Sequence, residues 1–351
     1  MSVDTNKVYE WAIIGAGPAG LATVGLLIDS GINPDDMAII DPAFTVGDFG
    51  AYWGEVYSNT TVENFLEFLS QIQSFKFSQQ LNTFDLESMP KSGFCQLKKV
   101  SEVLQWVTGH LEQSVSFHYD KAVSLNIFNG CWQINLDQGK QLQSKQVVLA
   151  TGADPKTLSF PNVKEINLYY ALNPKKLTNM VASDDIVAVF GSSHSSMIII
   201  KNLLDVGVKK VVNFYLTPHR YAVNMGDWTL YDNTGLKGLT AEWVHKNISQ
   251  HLDSRIERYI SNDQNIKKHM NQCNKGVYPI GFKPRSLDIK NTDVKQYDPH
   301  TGIIAPGLFG VGIAFPQVVI DPFGNKEFNV GLNKFMRDIK KVLPIWKKYH
   351  I

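Results

Sequence analysis

The sequence predicts an α/β fold built around two copies of one unit: a buried strand, a small-residue turn, a helix and a second strand. Residues 11–41 and 186–215 each carry the whole unit, and short alternating strands lie between them. The length of 351 residues allows about two domains and a core that needs no metal or disulfide staple.

The first unit opens on Trp11, Ala12, Ile13 and Ile14, followed by GAGPAG over Gly15, Ala16, Gly17, Pro18, Ala19 and Gly20. Residues 21–30 are apolar and of helix length, Gly31 ends them, and the strand at 37–40 terminates in Asp41. Gly15 permits the tight turn, Gly17 lets the backbone approach a pyrophosphate, and Gly20 lets the helix pack on the strand. The helix start offers free N–H groups and the positive end of its dipole to that anion. Asp41 is placed to accept hydrogen bonds from a ribose, and its charge repels a 2′-phosphate, so this turn suits FAD or NAD.

In the second unit, residues 186–190 read as a strand and Gly191, Ser192, Ser193, His194, Ser195 and Ser196 as the turn. A helix over 197–204, Gly207 and a strand at 211–215 follow. Serine replaces two glycines, but it is small and its hydroxyl can bond phosphate. No acid ends the second strand. His219 and Arg220 follow instead, and a guanidinium there can pair with a 2′-phosphate, which points to NADPH, with NADH left open. His194 reads as a cap or phosphate neighbour rather than a catalytic group.

Between the units, 97–111 is an amphipathic helix, and strands are expected at 114–119, 122–128 and 132–136. A buried strand at 146–150 ends in Thr151 and Gly152, and glycine-rich strand ends recur at 276–284 and 307–316. Residues 226–275 read as polar and helical, anchored by Trp228 and Trp243.

Composition narrows the function. The net charge of +1 provides no global attraction to nucleic acid or an anionic membrane. The lysine pairs at 340–341 and 347–348 read as helix-capping charges. Cys95, Cys131 and Cys273 form no C-x-x-C pair, against a zinc ribbon or a redox dithiol, and no metal site is expected. Scattered thiols, no targeting pattern in residues 1–10 and no apolar run of spanning length point to a cytoplasmic protein.

The order of these features resembles the FAD-dependent pyridine-nucleotide oxidoreductases with two dinucleotide-binding domains. The likeness rests on GAGPAG with Asp41, the β-meander, the turn at Ala150, Thr151 and Gly152, the second nucleotide unit, and GLFGVGIAFP over 307–316. It implies two Rossmann-like domains, the second inserted in the first. Residues 1–155 with 300–351 then form the FAD domain, and 165–295 the NAD(P) domain with its helical insertion at about 226–275. The stretch from Gly47 to Gly54, with Trp53, is similar to the GGxW stretch of flavin-containing and N-hydroxylating monooxygenases. The resemblance thus implies cofactor contacts at Trp53, Thr151, Gly152 and Gly312.

This chain departs from the disulfide-reductase branch by lacking a cysteine pair. It also has Ile313 where those enzymes place an aspartate that holds the flavin ribityl chain. The resemblance implies hydride transfer from NAD(P)H to flavin, then electron transfer to oxygen or a substrate. The helix starting near residues 331–333 is a candidate to point its dipole at the flavin, or is a plain terminal helix. A catalytically silent nucleotide-binding module is the other reading, kept open by Ile313 and the serine-rich turn. No catalytic side chain is assigned.

Overall fold

The computed structural model describes residues 7–80, 82–290, 292 and 296–351. Residues 1–6, part of the stretch read for targeting, and the expected end of the inserted unit at 295 lie outside them. Two parallel sheets dominate. The first runs Ser116–His118, Met37–Ile40, Val8–Ile14, Gln141–Leu149 and Leu308–Gly310, all parallel. Gln141–Leu149 is long enough to serve twice. Its N-terminal half pairs antiparallel with Cys131–Leu136, which pairs with Ala122–Phe128 to complete the meander.

Two expectations need correction here. The strand expected at 114–119 is Ser116–His118, and it joins the parallel side beside Met37–Ile40 rather than the meander. The stretch 226–275 is not simply helical. It contains the short strand Thr229–Leu230, which pairs with Val223–Asn224 just before the stretch, and the strand Ile256–Ile260 that forms one edge of the second sheet. The second sheet runs Ile256–Ile260, Lys210–Tyr215, Ile186–Phe190, Lys275–Val277, Lys164–Glu165. Ile256–Ile260 carries Glu257 and Arg258 side by side within it, and both have tertiary partners: Lys210 reaches Glu257 at 2.6 Å and Arg258 reaches Asn213 at 3.0 Å.

The two sheets are joined by an antiparallel pair, Ala153–Pro155 with Phe282–Pro284. The returning chain pairs with the meander at Asp288–Ile289, inside the range expected for the inserted unit. The C-terminal helix Leu332–Trp346 packs on the helix Pro18–Asp29. Trp346 is fully buried and stacks on Phe309 at 4.8 Å, and Phe309 stacks on Trp11 at 5.9 Å. Lys347 donates to the Ser30 carbonyl at the end of the neighbouring Pro18–Asp29 helix, not to the terminal helix it was expected to cap. Among the described residues no helix is long and apolar enough to cross a membrane.

Candidate functional site

The carboxyl ends of the first sheet's strands converge on one cleft of about 350 Å³. This is where ligands bind in open parallel sheets. Gly15, Gly17, Pro18, Ala19, Asp41, Trp53, Thr151, Gly152 and Gly312, all singled out from sequence, line it together. Gly15 sits at φ +108°, and a Cβ there would stand 2.3 Å from the Ala150 carbonyl oxygen. A Cβ on Gly20 would fall 1.9 Å from the Gly15 oxygen, so Gly20 is a packing residue beneath the turn. Gly17 differs: a Cβ there would meet only the Val46 oxygen, at 3.9 Å. Its open side belongs to the cleft.

No side chain caps the start of the Pro18–Asp29 helix, which leaves its first-turn N–H groups free for an anion. Asp41 is buried and already engaged. Its Oδ2 accepts from the Ala16 N–H at 2.9 Å, and its Oδ1 from those of Ala43 and Phe44 at 2.9 and 2.8 Å. The carboxylate assigned to the ribose is therefore also the tie that holds the glycine turn to the next loop.

The second turn has the same logic with a different filling. Gly191 sits at φ +113°, where a Cβ would meet Ser196 Oγ at 2.5 Å and the Pro279 oxygen at 3.0 Å. Ser196 fills the space under the turn, its Oγ buried without a hydrogen-bond partner. Ser192 donates to the Thr217 carbonyl at 2.6 Å. Ser193 precedes the helix His194–Asp205, which again has no side-chain cap. Ser195, from this same turn, lines the cleft of the first sheet. Gly191, Ser192, Ser193 and Ser196 are not among the cleft-lining residues.

Arg220 is exposed, with its guanidinium 4.9 Å from the centre of the Tyr231 ring. Closer to the turn stands Arg258, which sequence reading missed. It donates to Asn213 at 3.0 Å, and Asn213 donates to the Gly191 carbonyl at 2.8 Å. His194 lies largely buried, its Nε2 3.2 Å from Thr240 Oγ1. Burial, then the charge of Lys237, pushes its pKa down to about 4, so the imidazole is neutral at ordinary pH.

The cleft also holds residues that sequence did not single out. Arg285 reaches Asp48 through Nη2 at 2.7 Å and Asp154 through Nε at 2.8 Å. Tyr169 donates to Asp48 at 3.3 Å. Burial and the Asp48 charge push the phenol pKa well above its usual range. Trp53 stands edge-on to Tyr169 and Phe282 at 5.2 and 6.2 Å, and Phe282 also lines the cleft. Phe65 is core, and Tyr52 is exposed, stacked on Tyr169 at 4.2 Å. The only available signals were local: Asp48 lies within the stretch around Trp53, and Arg285 follows a glycine-rich strand end. None of the three cysteines forms a disulfide.

Known proteins resemble this chain in sequence and in fold. Monooxygenase AgnR1 of Paecilomyces divaricatus is 29% identical over 384 aligned positions, spanning 95% of this chain and 97% of the relative. Among solved structures, DfoA bound to FAD, the cadaverine monooxygenase of Erwinia amylovora, superposes with a TM-score of 0.67 at 13% identity, covering 98% of this chain and 95% of its own. A flavin-containing monooxygenase from Stenotrophomonas maltophilia gives 0.66 at 13% identity, covering 98% and 99%. At that identity the two structures speak for the fold. Residues 9–305 match the pyridine nucleotide-disulphide oxidoreductase family, so the chain belongs to that family of flavin- and nicotinamide-linked oxidoreductases.

Proposed function

We propose that this protein binds FAD in the cleft of the first sheet and NADPH, or NADH, at the Gly191 turn. It takes hydride from the nicotinamide and passes the electrons to oxygen, as a monooxygenase that inserts one oxygen atom into a small molecule and releases the other as water, or directly to a small-molecule substrate. The observation that carries this reading is Ser195: a residue of the second glycine turn faces the cleft built by the first. A second nucleotide turn that borders the cleft of the first, through Ser195, is the proximity hydride transfer requires.

The residues present fit FAD. The open side of Gly17 and the uncapped helix start accept a pyrophosphate, and Asp41 borders the ribose end. Trp53, Phe49 and Phe282 add apolar wall to the same cleft. When bound, the flavin supplies the redox chemistry, and the chain supplies position and charge. The Ile313 side chain offers no hydrogen bond to a ribityl hydroxyl, so backbone groups around Gly312 and the helix start at Leu332, which line the same cleft, would take that part. The neutral His194 adds no charge at the second turn, and the exposed Arg220 is the candidate to meet a 2′-phosphate.

The monooxygenase reading, rather than a thiol–disulfide reductase, is supported by the absence of a cysteine pair and by the relative that matches this chain from end to end. Ile313 and the serine-rich turn favour the other reading, a nucleotide-binding module without turnover. Adding NADPH in air to FAD-loaded protein separates the two. Consumption of NADPH with oxygen uptake supports the enzyme. A flavin-loaded protein that consumes neither NADPH nor NADH supports the module.

A further inference from the structure

Residues 220–237, which run into the stretch 226–275 that the sequence described least, reach across to the first domain. Tyr231 takes φ +54° and turns the chain so that Asp232, Asn233 and Thr234 face the C-terminal segment. Asp232 accepts from Lys334 at 2.6 Å through one oxygen and from Lys237 through the other. Asn233 Oδ1 accepts from Lys334 Nζ at 2.6 Å and from the Val330 N–H at 3.3 Å. Glu327 accepts in turn from the Asn233 N–H at 3.0 Å and from the Thr234 hydroxyl.

These bonds close a network of two carboxylates and two ammoniums between the domains. Asp232 and Lys334 are 35% and 26% exposed at the side chain, so neither is a freely solvated surface charge. Burial opposes ionisation of Asp232, yet the hydrogen bonds from Lys237 and Lys334 hold its carboxyl below the usual range. The grip falls on a particular place: Val330, Gly331 and Leu332, the start of the C-terminal helix, line the cleft. The Arg285–Asp48 pair lines the same cleft, and the covalent link between the domains runs through the strand pair Ala153–Pro155 with Phe282–Pro284.

We infer that Asp232 is a positioning residue at the centre of a clasp by which the inserted domain fixes the start of the C-terminal helix against the cofactor cleft. The clasp must open before FAD can leave. The inference rests on the FAD reading given above. It assigns to residues 231–237 a role in retaining cofactor, not in redox chemistry. Because ion pairs at this exposure are partly screened, the clasp should loosen as ionic strength rises.

The test uses full-length protein loaded with FAD, following release into buffer by the rise in flavin fluorescence at about 20 and 500 mM salt. The wild type should release FAD several-fold faster at high salt. Asp232→Asn should release it about tenfold faster at low salt and lose most of the salt dependence, whereas Asp232→Glu should restore part of both. Asp205→Asn, which breaks the exposed Lys201–Asp205 pair far from the cleft, should match the wild type. Release from Asp232→Asn within twofold of wild type, in a protein of unchanged melting temperature, overturns the clasp. A wild type that takes up no FAD overturns the FAD reading instead. Hydrogen exchange over residues 328–336 then decides the clasp: faster exchange in Asp232→Asn upholds it, and unchanged exchange overturns it.

Discussion

Arg285 and Asp48, 237 residues apart in sequence, meet at 2.7 Å beside the cleft. Arg285 follows the strand that returns from the inserted domain, and Asp48 belongs to the short helix Gly47–Tyr52 of the first. Asp154 takes the Nε of the same guanidinium, so one cation ties the link between the domains to the wall of the cleft.

Loss of this tie should be measurable. Asp48→Asn leaves Arg285 one carboxylate, and for a half-exposed pair we expect about 1 kcal/mol of destabilisation, a fall of about 2 °C in melting temperature. Arg285→Ala leaves two carboxylates facing each other and should cost more. Calorimetry that finds both variants within 0.5 °C of wild type, about the resolution of such a comparison, would remove the tie from the account.

The glycines of the first turn should separate folding from binding. At Gly20 a methyl group would fall 1.9 Å from the Gly15 oxygen, so Gly20→Ala should lower both stability and FAD affinity, with an overpacking cost of about 1–3 kcal/mol. At Gly17 the added methyl meets nothing closer than 3.9 Å in the protein and projects into the cleft. Gly17→Ala should leave the melting temperature of the FAD-free protein unchanged while weakening FAD binding by about tenfold or more, read by fluorescence titration. Equal effects of the two variants on stability would contradict this division.

His194 should make the fold acid-sensitive. Burial pushes its folded pKa from 6.5 down to about 4, so between those values the unfolded chain binds a proton that the folded chain does not. Stability is whole above pH 6.5 and falls as the pH drops towards 4, by about 3 kcal/mol from this group. His194→Gln should flatten that slope in urea unfolding measured from pH 7 to 4.5. An unchanged slope would show that the imidazole is not the responsible group.

Arg220 stands exposed over Tyr231, free to meet a phosphate. Arg220→Ala should raise the KM for NADPH and leave that for NADH nearly unchanged. Steady-state kinetics with both cofactors checks this, and equal changes would remove Arg220 from 2′-phosphate recognition.

What the sequence disclosed and what it hid follow from the range of the forces involved. The turns at Gly15 and Gly191 were legible because a positive φ and a steric limit are local demands that glycine alone meets cheaply. Asp41 was legible by its distance from the turn, although its three backbone partners, which give it a structural task, were not. The strand Ile256–Ile260 escaped because an edge strand of five residues with Glu257 and Arg258 inside it has little apolar signal. Its polar groups are satisfied by Lys210 and Asn213, brought there by the neighbouring strand. Arg285, Asp48, Asp232 and Lys334 are ordinary surface residue types in sequence, and only the folded arrangement of two domains gives them partners.

The central claim is that this chain holds a flavin that a nicotinamide can reduce. An anaerobic visible spectrum of the purified protein, loaded with FAD if necessary, tests it before and after NADPH is added. The account predicts flavin absorption bands that bleach on addition. A protein that remains colourless and cannot be loaded with FAD would contradict it, as would a bound flavin that neither NADPH nor NADH reduces.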